Sequence, residues 1–197
     1  MFAEMSGGIK ERMQVLEQID ARDRTDGTER AKRLKQVTPE TGKFLALLAS
    51  NCPDGGDFIE IGTSAGYSSL WISLALQQRG ATLKTFEILP EKAAMAKETF
   101  RVAGVADRIE LVEGDFLEKG NSLGKIAFCF LDCEKDVYER CFYIVSSKLV
   151  RGGVLVADNA ISHHDAMKPM LEKVESDGRF DCLTVPIGNG EFVCRRK

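Results

Sequence analysis

The stretch Asp57–Leu76, DFIEIGTSAGYSSLWISLAL, decides the fold because it joins a buried strand, a glycine turn and an apolar helix. Phe58, Ile59 and Ile61 form the predicted strand, and the following helix has so little polar surface that it must pack against a sheet. A strand that enters a helix through a glycine turn leaves backbone N–H groups free beside the strand's C-terminal end. In open parallel sheets, nucleotide-like ligands bind at this edge.

The glycine spacing and one acidic residue indicate which kind of ligand binds there. The glycines follow the pattern Gly62-x-x-x-Gly66, which is not the G-x-G-x-x-G spacing of the dinucleotide fingerprint. Glu60 lies two positions before the first glycine, and a carboxylate there would repel a pyrophosphate but suits a ligand that carries positive charge. The turn therefore favours S-adenosylmethionine over NAD.

Composition places the chain among single-domain proteins and excludes several classes. The chain has 197 residues, of which 44% are hydrophobic, and a formal net charge of −3, so it has no general attraction to nucleic acid or anionic membranes. It contains no apolar run long enough to cross a membrane, no pattern of a signal peptide and no C-x-x-C pair among its six cysteines. We expect a cytoplasmic protein with reduced thiols.

Strands and helices are predicted to alternate through the chain. Helices are predicted at 7–20, from Thr38-Pro39-Glu40 onwards, after the glycine turn, and at 90–103, 136–149 and 165–177. Strands are predicted at 57–61, 82–87, 108–112, 125–131, 154–157, 180–186 and 191–195. The last two strands are separated by so few residues that they must form a hairpin, so the last strand runs antiparallel. The pattern predicts an α/β fold with a seven-stranded, mostly parallel sheet and helices on both faces.

The first 36 residues differ in character from the rest. Residues 1–36 contain one amphipathic helix and then a charge-dense stretch of mixed sign, whereas 37–197 hold the alternating pattern. The charged stretch is either a solvated surface or a cover over the glycine turn. We expect a single domain in which 1–36 is an N-terminal helical cover segment.

Carboxylates occur in or beside the end of each of the first five predicted strands. Because the C-terminal ends of parallel strands share one edge, these side chains should converge on one crevice, although any one of them could instead be a helix cap or a turn residue. They are Glu60, Glu87, Asp115, Asp132 and Asp158.

Asp132 and Asp158 are separated by the length of one helical crossover, so they should meet at adjacent strand tips. With the amide oxygen of Asn159 they form an oxygen donor set that suits Mg²⁺, Mn²⁺ or Ca²⁺. Lys135 would face the same crevice as either a surface lysine or a general base. His163 and His164 follow closely in a loop, as surface residues or as groups that reach the metal or acceptor.

These motifs together resemble the cation-dependent class I O-methyltransferases, which include catechol and caffeoyl-CoA O-methyltransferases and small bacterial relatives. The resemblance covers about residues 35–197 and depends most on Asp132-x-x-Lys135-x-x-Tyr138 followed by Asp158-Asn159. The other matching pieces are Val37-Thr38-Pro39, Glu60 through Ser68, Phe86-Glu87 and Gly114-Asp115.

The resemblance implies a Rossmann-like class I methyltransferase fold and a role for each matching residue. Val37, Glu60, Gly62, Thr63 and Ser68 would line the methionine end of S-adenosylmethionine. Glu87, with Ile88, would hold the ribose, Asp115 and Phe116 would flank the adenine, and Asp132 would also border the donor. Asp132, Asp158 and Asn159 would bind the divalent cation, and Lys135 would be the general base for methyl transfer to a small hydroxylated aromatic acceptor such as a catechol.

Several alternatives remain open. Some bacterial relatives methylate a hydroxylated uridine in tRNA, and basic residues near both ends of the chain could contact phosphates. A non-catalytic binding module and an NAD-linked oxidoreductase share the sheet pattern, although the missing fingerprint disfavours the second. No long acceptor-binding insertion is present, so the acceptor pocket would come from residues 1–35, from the loop around His163 or from a second subunit, and we expect a homodimer.

Overall fold

The computed structural model describes all residues from Met1 to Lys197. Strands and helices alternate through most of the chain, and short 3₁₀ turns occupy Gly120–Ser122 and Lys135–Val137. The helices are α1 (Gly7–Asp23), α2 (Pro39–Ser50), α3 (Tyr67–Arg79), α4 (Pro90–Ala103), α5 (Phe116–Lys119), α6 (Tyr138–Ser146) and α7 (His164–Glu175). The strands are β1 (Asp57–Ile61), β2 (Leu83–Glu87), β3 (Ile109–Glu113), β4 (Ile126–Leu131), β5 (Leu149–Ala157), β6 (Phe180–Val185) and β7 (Glu191–Arg196).

The seven strands form one sheet in the order β3-β2-β1-β4-β5-β7-β6. Neighbours from β3 to β5 pair in parallel, whereas β7 pairs antiparallel with both β5 and β6. The order reverses at β1, since the chain moves outward from β1 to β3 and then returns to place β4 on the other side. A crevice opens at such a reversal, beyond the C-terminal ends of the strands. The predicted fold class is confirmed.

Helices cover both faces of the sheet, and each face has its own apolar core. One core packs α1 to α4 on the sheet, and the other packs α5 to α7 on the opposite face. Alternation along β1 assigns Phe58 to the first core and Ile59 and Ile61 to the second. Ile9, Met13 and Leu16 of α1 belong to the first core, so the N-terminal helix is part of the folded body.

The largest errors of the prediction are the end of α6 and the start of β5. Residues 136–149 were expected to be helical, but α6 ends at Ser146, and β5 begins at Leu149 rather than at Val154. Gly152 and Gly153 therefore lie inside β5, where the pairing with β4 shifts register. Gly152 has φ +81°, which is a conformation that glycine adopts easily, so this pair marks an irregularity in a strand rather than a loop. No helix in the structure has the length and apolarity needed to cross a membrane.

Candidate active site

A cavity of about 890 Å³ opens at the C-terminal ends of β1, β2 and β4, at the reversal of strand order. Its floor is built by the glycine turn, and its sides by the residues that follow β2, β3, β4 and β5. The charged stretch between α1 and α2 forms the remaining wall. Four of the five carboxylates expected to converge on one crevice line this cavity, namely Glu87, Asp115, Asp132 and Asp158.

Gly62 allows the glycine turn to pass close to the end of β4. Its φ is +101°, and a Cβ atom built on it would lie 1.9 Å from the carbonyl oxygen of Asp132. Any larger residue would therefore push β1 and β4 apart at the centre of the site. Gly66 has φ +87° and starts α3, where a Cβ would meet the ring of Phe100. Both glycines are required by contacts as well as by backbone conformation.

Glu60 does not line the cavity, contrary to the expectation that it borders the ligand. Its side chain is fully buried under α3 and accepts hydrogen bonds from Ser68 Oγ at 2.6 Å, from Ser69 Oγ and from Thr85 Oγ1 at 2.6 Å. Thr63 Oγ1 lies 2.6 Å from Thr85 Oγ1 and extends the network to the cavity wall. Burial raises the pKa of Glu60 to about 7, and the three hydroxyl donors oppose that rise. Glu60 therefore orients Ser68 and Thr63, which do line the cavity.

Glu87 fixes the turn at the end of β2. One carboxylate oxygen accepts the backbone N–H of Ser64 at 2.7 Å, and the other accepts that of Leu89 at 2.9 Å. The side chain is buried but borders the cavity together with the exposed Ile88. An anchored carboxylate in this position can accept hydrogen bonds from vicinal hydroxyls of a ligand.

Aromatic and capping contacts build the part of the wall that follows β3. Asp115 caps α5 by accepting the N–H of Leu117 at 2.8 Å. Phe116 packs edge-to-face on Phe86, with 5.0 Å between the ring centroids. All three border the cavity, which gives it a flat apolar surface beside a carboxylate.

Lys135 is held at the end of β4 by three contacts. Its Nζ donates to Tyr138 Oη at 2.6 Å, to the carbonyl oxygen of Cys133 at 2.9 Å and to Asp132 Oδ1 at 3.2 Å. The hydroxyl of Tyr138 in turn donates to the carbonyl oxygen of Leu131 at 3.1 Å. Lys135 is therefore an oriented, partly buried group inside the cavity, and its role as general base stays a prediction.

Asp158 and Asn159 lie beside Asp132, as the crossover length predicted. Asn159 Nδ2 lies 3.1 Å from Asp132 Oδ1 and 2.7 Å from Asp158 Oδ2, so one amide group reaches both carboxylates. The pKa of Asp158 rises to about 6, first because the side chain is buried and second because Asp132 carries a like charge nearby.

The fit of these residues to a divalent cation depends on the amide. No group of three or more His, Cys, Asp or Glu side chains is arranged to hold a metal ion. In the structure, Asn159 Nδ2 faces the two carboxylates. Rotation of the amide by half a turn would exchange Nδ2 for Oδ1, and a cation would then face two carboxylates and one amide oxygen. Three oxygen donors suit a hard cation, and the like charges of the buried Asp158 and the partly exposed Asp132 favour one, so the residues fit.

Three residues other than glycine have positive φ, and all three line the cavity. They are Lys35 (φ 50°), Ser64 (φ 48°) and Asn159 (φ 71°). This conformation is costly for residues with a side chain and is concentrated at functional sites. The strain supports the assignment of this cavity as the site.

The remaining predicted residues divide between the cavity wall and the surface. Val37 and Gly62 line the cavity, and His163 borders it with Nδ1 3.0 Å from the hydroxyl of Ser162. His164 is exposed and lies 3.6 Å from the carboxylate of Asp165. Ser64 and Lys92 line the cavity but were not predicted as site residues, and no role was predicted for Tyr138. The D-x-x-K-x-x-Y spacing was a usable signal for Tyr138, because three residues are about one turn of a helix.

A family model described as O-methyltransferase matches residues 10–197. The chain belongs to the O-methyltransferase family. This confirms the family resemblance and makes the oxidoreductase alternative untenable. Catechol O-methyltransferases from Niastella koreensis and Mycobacterium tuberculosis are 33% and 34% identical to this family member over 132 and 127 residues. Each match covers 64% of this chain, which spans 58% and 57% of the lengths of those relatives.

Solved structures share the fold of this family member. The O-methyltransferase from Bacillus cereus in complex with SAH superposes with a TM-score of 0.80 at 20% identity, covering 95% of this chain and 91% of that one. The O-methyltransferase TomG from Streptomyces achromogenes in complex with SAM gives a TM-score of 0.76 at 22% identity, covering 98% and 90%. At this level of identity the similarity extends to the fold.

Proposed function

We propose that the protein transfers a methyl group from S-adenosylmethionine to a hydroxyl of a small aromatic vicinal diol, with a divalent cation as cofactor. The observation that carries this proposal is the convergence of Asp132, Lys135, Asp158 and Asn159 at one end of the cavity, next to the glycine turn. The catechol O-methyltransferase relatives add support for a diol acceptor.

The donor would lie across the glycine turn. Val37, Gly62, Thr63 and Ser68 would border its methionine end, with Glu60 positioning Ser68. Glu87 would accept hydrogen bonds from the ribose hydroxyls, beside Ile88. The adenine would lie beside Asp115 and the ring of Phe116, whose edge-to-face packing on Phe86 holds a flat apolar wall.

The acceptor would lie at the other end of the cavity. Asp132, Asp158 and Asn159 would hold the cation, Mg²⁺ or alternatively Mn²⁺ or Ca²⁺. The cation would supply positive charge that lowers the pKa of the acceptor hydroxyl, which for a free phenol is about 10.

Lys135 would receive the proton of the acceptor hydroxyl at Nζ. For this step its ammonium must first lose a proton, and its contacts with Tyr138 Oη and the carbonyl of Cys133 keep Nζ in one place while it does so. The close approach of β1 and β4 at Gly62 sets donor and acceptor ends side by side, which favours in-line displacement at the methyl carbon.

Binding measurements test donor and cation separately from turnover. Calorimetry should detect S-adenosylhomocysteine binding, and preference for NADH would overturn the donor assignment. Titration with Mn²⁺, followed by electron paramagnetic resonance, should show one site that Asp158→Asn weakens and Asp165→Asn leaves unchanged. Asp165 is an exposed acid outside the cavity. Equal Mn²⁺ affinity in the two variants would contradict the cation site.

Two further expectations stay proposals. Undermodified tRNA should not accept a labelled methyl group, because the net charge is −3 and the relatives named above are catechol O-methyltransferases. Methylation of that tRNA in preference to a diol would reverse the choice of acceptor. The homodimer is testable by light scattering after size-exclusion chromatography.

A further inference from the structure

Since α1 packs in the core, we restrict the name cover segment from here on to residues 24–37. The part of the cavity wall formed by this segment carries positive charge and no negative charge. Of the residues of this segment that border the cavity, four are cationic and none is acidic: Arg24, Arg30, Arg33 and Lys35. The acids of the segment lie elsewhere, since Asp26 approaches Arg22 and Glu29 pairs with Lys32, and none of these four residues borders the cavity. Charges that alternate in sequence are therefore separated in space.

Several of these cations have no carboxylate partner. Arg30 makes no hydrogen bond or ion pair in the structure, and Arg33 uses only Nε, which donates to the carbonyl oxygen of Thr28 at 2.9 Å. Arg24 differs, because its guanidinium pairs with Asp20 at 2.7 Å. Arg30 and Arg33 thus present free guanidinium N–H groups at the cavity.

Lys92 adds a buried cation from the opposite side. Its side chain lies in the first turn of α4, is only 9% exposed and borders the cavity, yet it has no hydrogen-bond or ion-pair partner. Burial lowers the pKa of Lys92, and the charge of Lys35 also lowers it, whereas the carboxylates of Glu87, Glu134 and Asp132 act in the opposite direction. None of these carboxylates is within hydrogen-bond or ion-pair distance of Lys92, so its ammonium is open to an anion that enters the cavity.

Lys35 connects this charge with the acceptor end. Its Nζ lies 3.5 Å from the exposed carboxylate of Glu134, which stands between Asp132 and Lys135 in the chain. The cover segment therefore borders the end of the cavity where the acceptor would be held. We call Arg30, Arg33, Lys35 and Lys92 the cationic wall.

We propose that the cationic wall binds an anionic group, a carboxylate or a phosphate, carried by the methyl acceptor. The inference rests on the proposed function for the identity of the reacting hydroxyl and adds the charge of the rest of the molecule. Arginine side chains suit both anions because two N–H groups can face two oxygens. The preferred acceptor is then a diol ring with an acidic substituent, whose diol faces Lys135 and whose anion faces the cover segment.

Matched acceptors that differ in charge test this proposal. We would compare 3,4-dihydroxybenzoate with 3,4-dihydroxybenzamide, which has the same diol without the charge, and with 3,4-dihydroxybenzylphosphonate. The kcat/KM value for each anionic acceptor should exceed the value for the amide at least tenfold. A carboxylate ratio above the phosphonate ratio indicates a carboxylate acceptor, and the reverse indicates a phosphate ester.

Variants assign the effect to the wall. The double variant Arg30→Gln/Arg33→Gln should bring the ratio close to one and leave the affinity for S-adenosylhomocysteine unchanged. The control Arg22→Gln/Lys32→Gln removes as many charges from the same region outside the cavity and should keep the ratio. Equal kcat/KM for charged and neutral acceptors would overturn the proposal, and so would a matching loss of donor affinity, since the cations would then serve the donor.

Calorimetry on the protein with S-adenosylhomocysteine separates failure of this inference from failure of the proposed function. If the benzoate binds at least tenfold more tightly than the amide but no acceptor is methylated, anion binding by the cationic wall is supported and the proposed reaction is contradicted. If methylation occurs with no preference for charged acceptors, the proposed reaction is supported and anion binding by the cationic wall is contradicted. Absence of binding by all three compounds overturns the wall.

Discussion

Gly62 occupies the position in the site that tolerates a side chain least, because a Cβ atom there would collide with the carbonyl oxygen of Asp132. Gly62→Ala should cost more than about 2 kcal/mol of unfolding free energy, because a left-handed conformation alone costs roughly 1–2. It should also abolish binding of S-adenosylhomocysteine. Gly80→Ala, with φ +60° and open space around it, should show the backbone cost alone, and Gly178→Ala, with open space and no such φ, almost none. Urea unfolding and calorimetry measure both effects, and equal stabilities of the Gly62 and Gly178 variants would contradict this argument.

Glu60 makes stability depend on pH. Its pKa in the folded protein is raised to about 7, so its neutral form is favoured by folding. The contribution is fully present below its unfolded pKa of roughly 4.3 and is lost as pH rises through about 7, a change on the order of 3 kcal/mol.

Glu60→Gln removes this titration. The unfolding free energy of the variant minus that of the wild-type protein should therefore be larger at pH 8 than at pH 5. Urea unfolding of both proteins at both pH values measures this difference. The same difference between the two proteins at both pH values would show that Glu60 is not perturbed. Glu91→Gln, at an exposed acid, is the control and should show no such change.

Lys135 is the proposed base, and its removal should act on rate rather than on donor binding. Lys135→Met should lower kcat by about 10²–10⁴-fold, the range for one general base. The affinity for S-adenosylhomocysteine should stay within error, and Lys168→Met, at an exposed lysine, should match the wild-type protein. Full turnover in Lys135→Met would remove the base from the mechanism.

At the scale of elements, α1 fixes the cover segment through two buried acids at its C-terminal end. Asp23 Oδ2 accepts the N–H of Leu34 at 2.7 Å, and Asp20 Oδ1 accepts that of Gln36 at 3.2 Å. Ser64 Oγ donates to the carbonyl oxygen of Leu34 at 2.9 Å, so the segment is tied directly to the glycine turn.

Asp23→Ala should loosen the cover segment more than it destabilises the fold. Loss of its acceptor leaves the buried N–H of Leu34 unpaired, which costs about 1–3 kcal/mol locally. Hydrogen exchange should speed up at Leu34 and Gln36 while α2 stays protected. The control Asp26→Ala removes an exposed acceptor from the same segment. If exchange rises equally in both variants, Asp23 does not hold the segment.

The sequence predicted elements well where one local signal was decisive and less well where tertiary contacts decided. The proline and threonine at the start of α2 and the apolar run of β4 were sufficient for their elements. The start of β5 was missed because Gly152 and Gly153 normally end a strand, and only the pairing with β4 keeps them in one.

Two features of the site could not be read from local sequence. Glu60 was expected at the edge of the cavity, but Ile61 ends β1, and pairing with β2 and β4 directs Glu60 under α3. The cover segment alternates in charge along the chain, and only its folded path separates Arg30 and Arg33 from Asp26.

At the scale of the whole molecule, the reversal of strand order places the glycine turn and the residues after β4 and β5 around one cavity. In the proposed reaction, the glycine turn and Glu87 would hold the donor, and the residues after β4 and β5 would hold the acceptor. The glycine turn forms the floor of the cavity, whereas the cover segment adds cationic side chains to its wall. Acceptor choice should therefore depend on the N-terminal part of the molecule.

The most direct test of the account is transfer of a labelled methyl group from S-adenosylmethionine to 3,4-dihydroxybenzoate, with Mg²⁺ and with a chelator. We predict a monomethylated product with Mg²⁺, background rates with chelator and recovery when excess Mg²⁺ is restored. A rate that chelation leaves unchanged, or no transfer to any vicinal diol in the presence of Mg²⁺, would contradict the account.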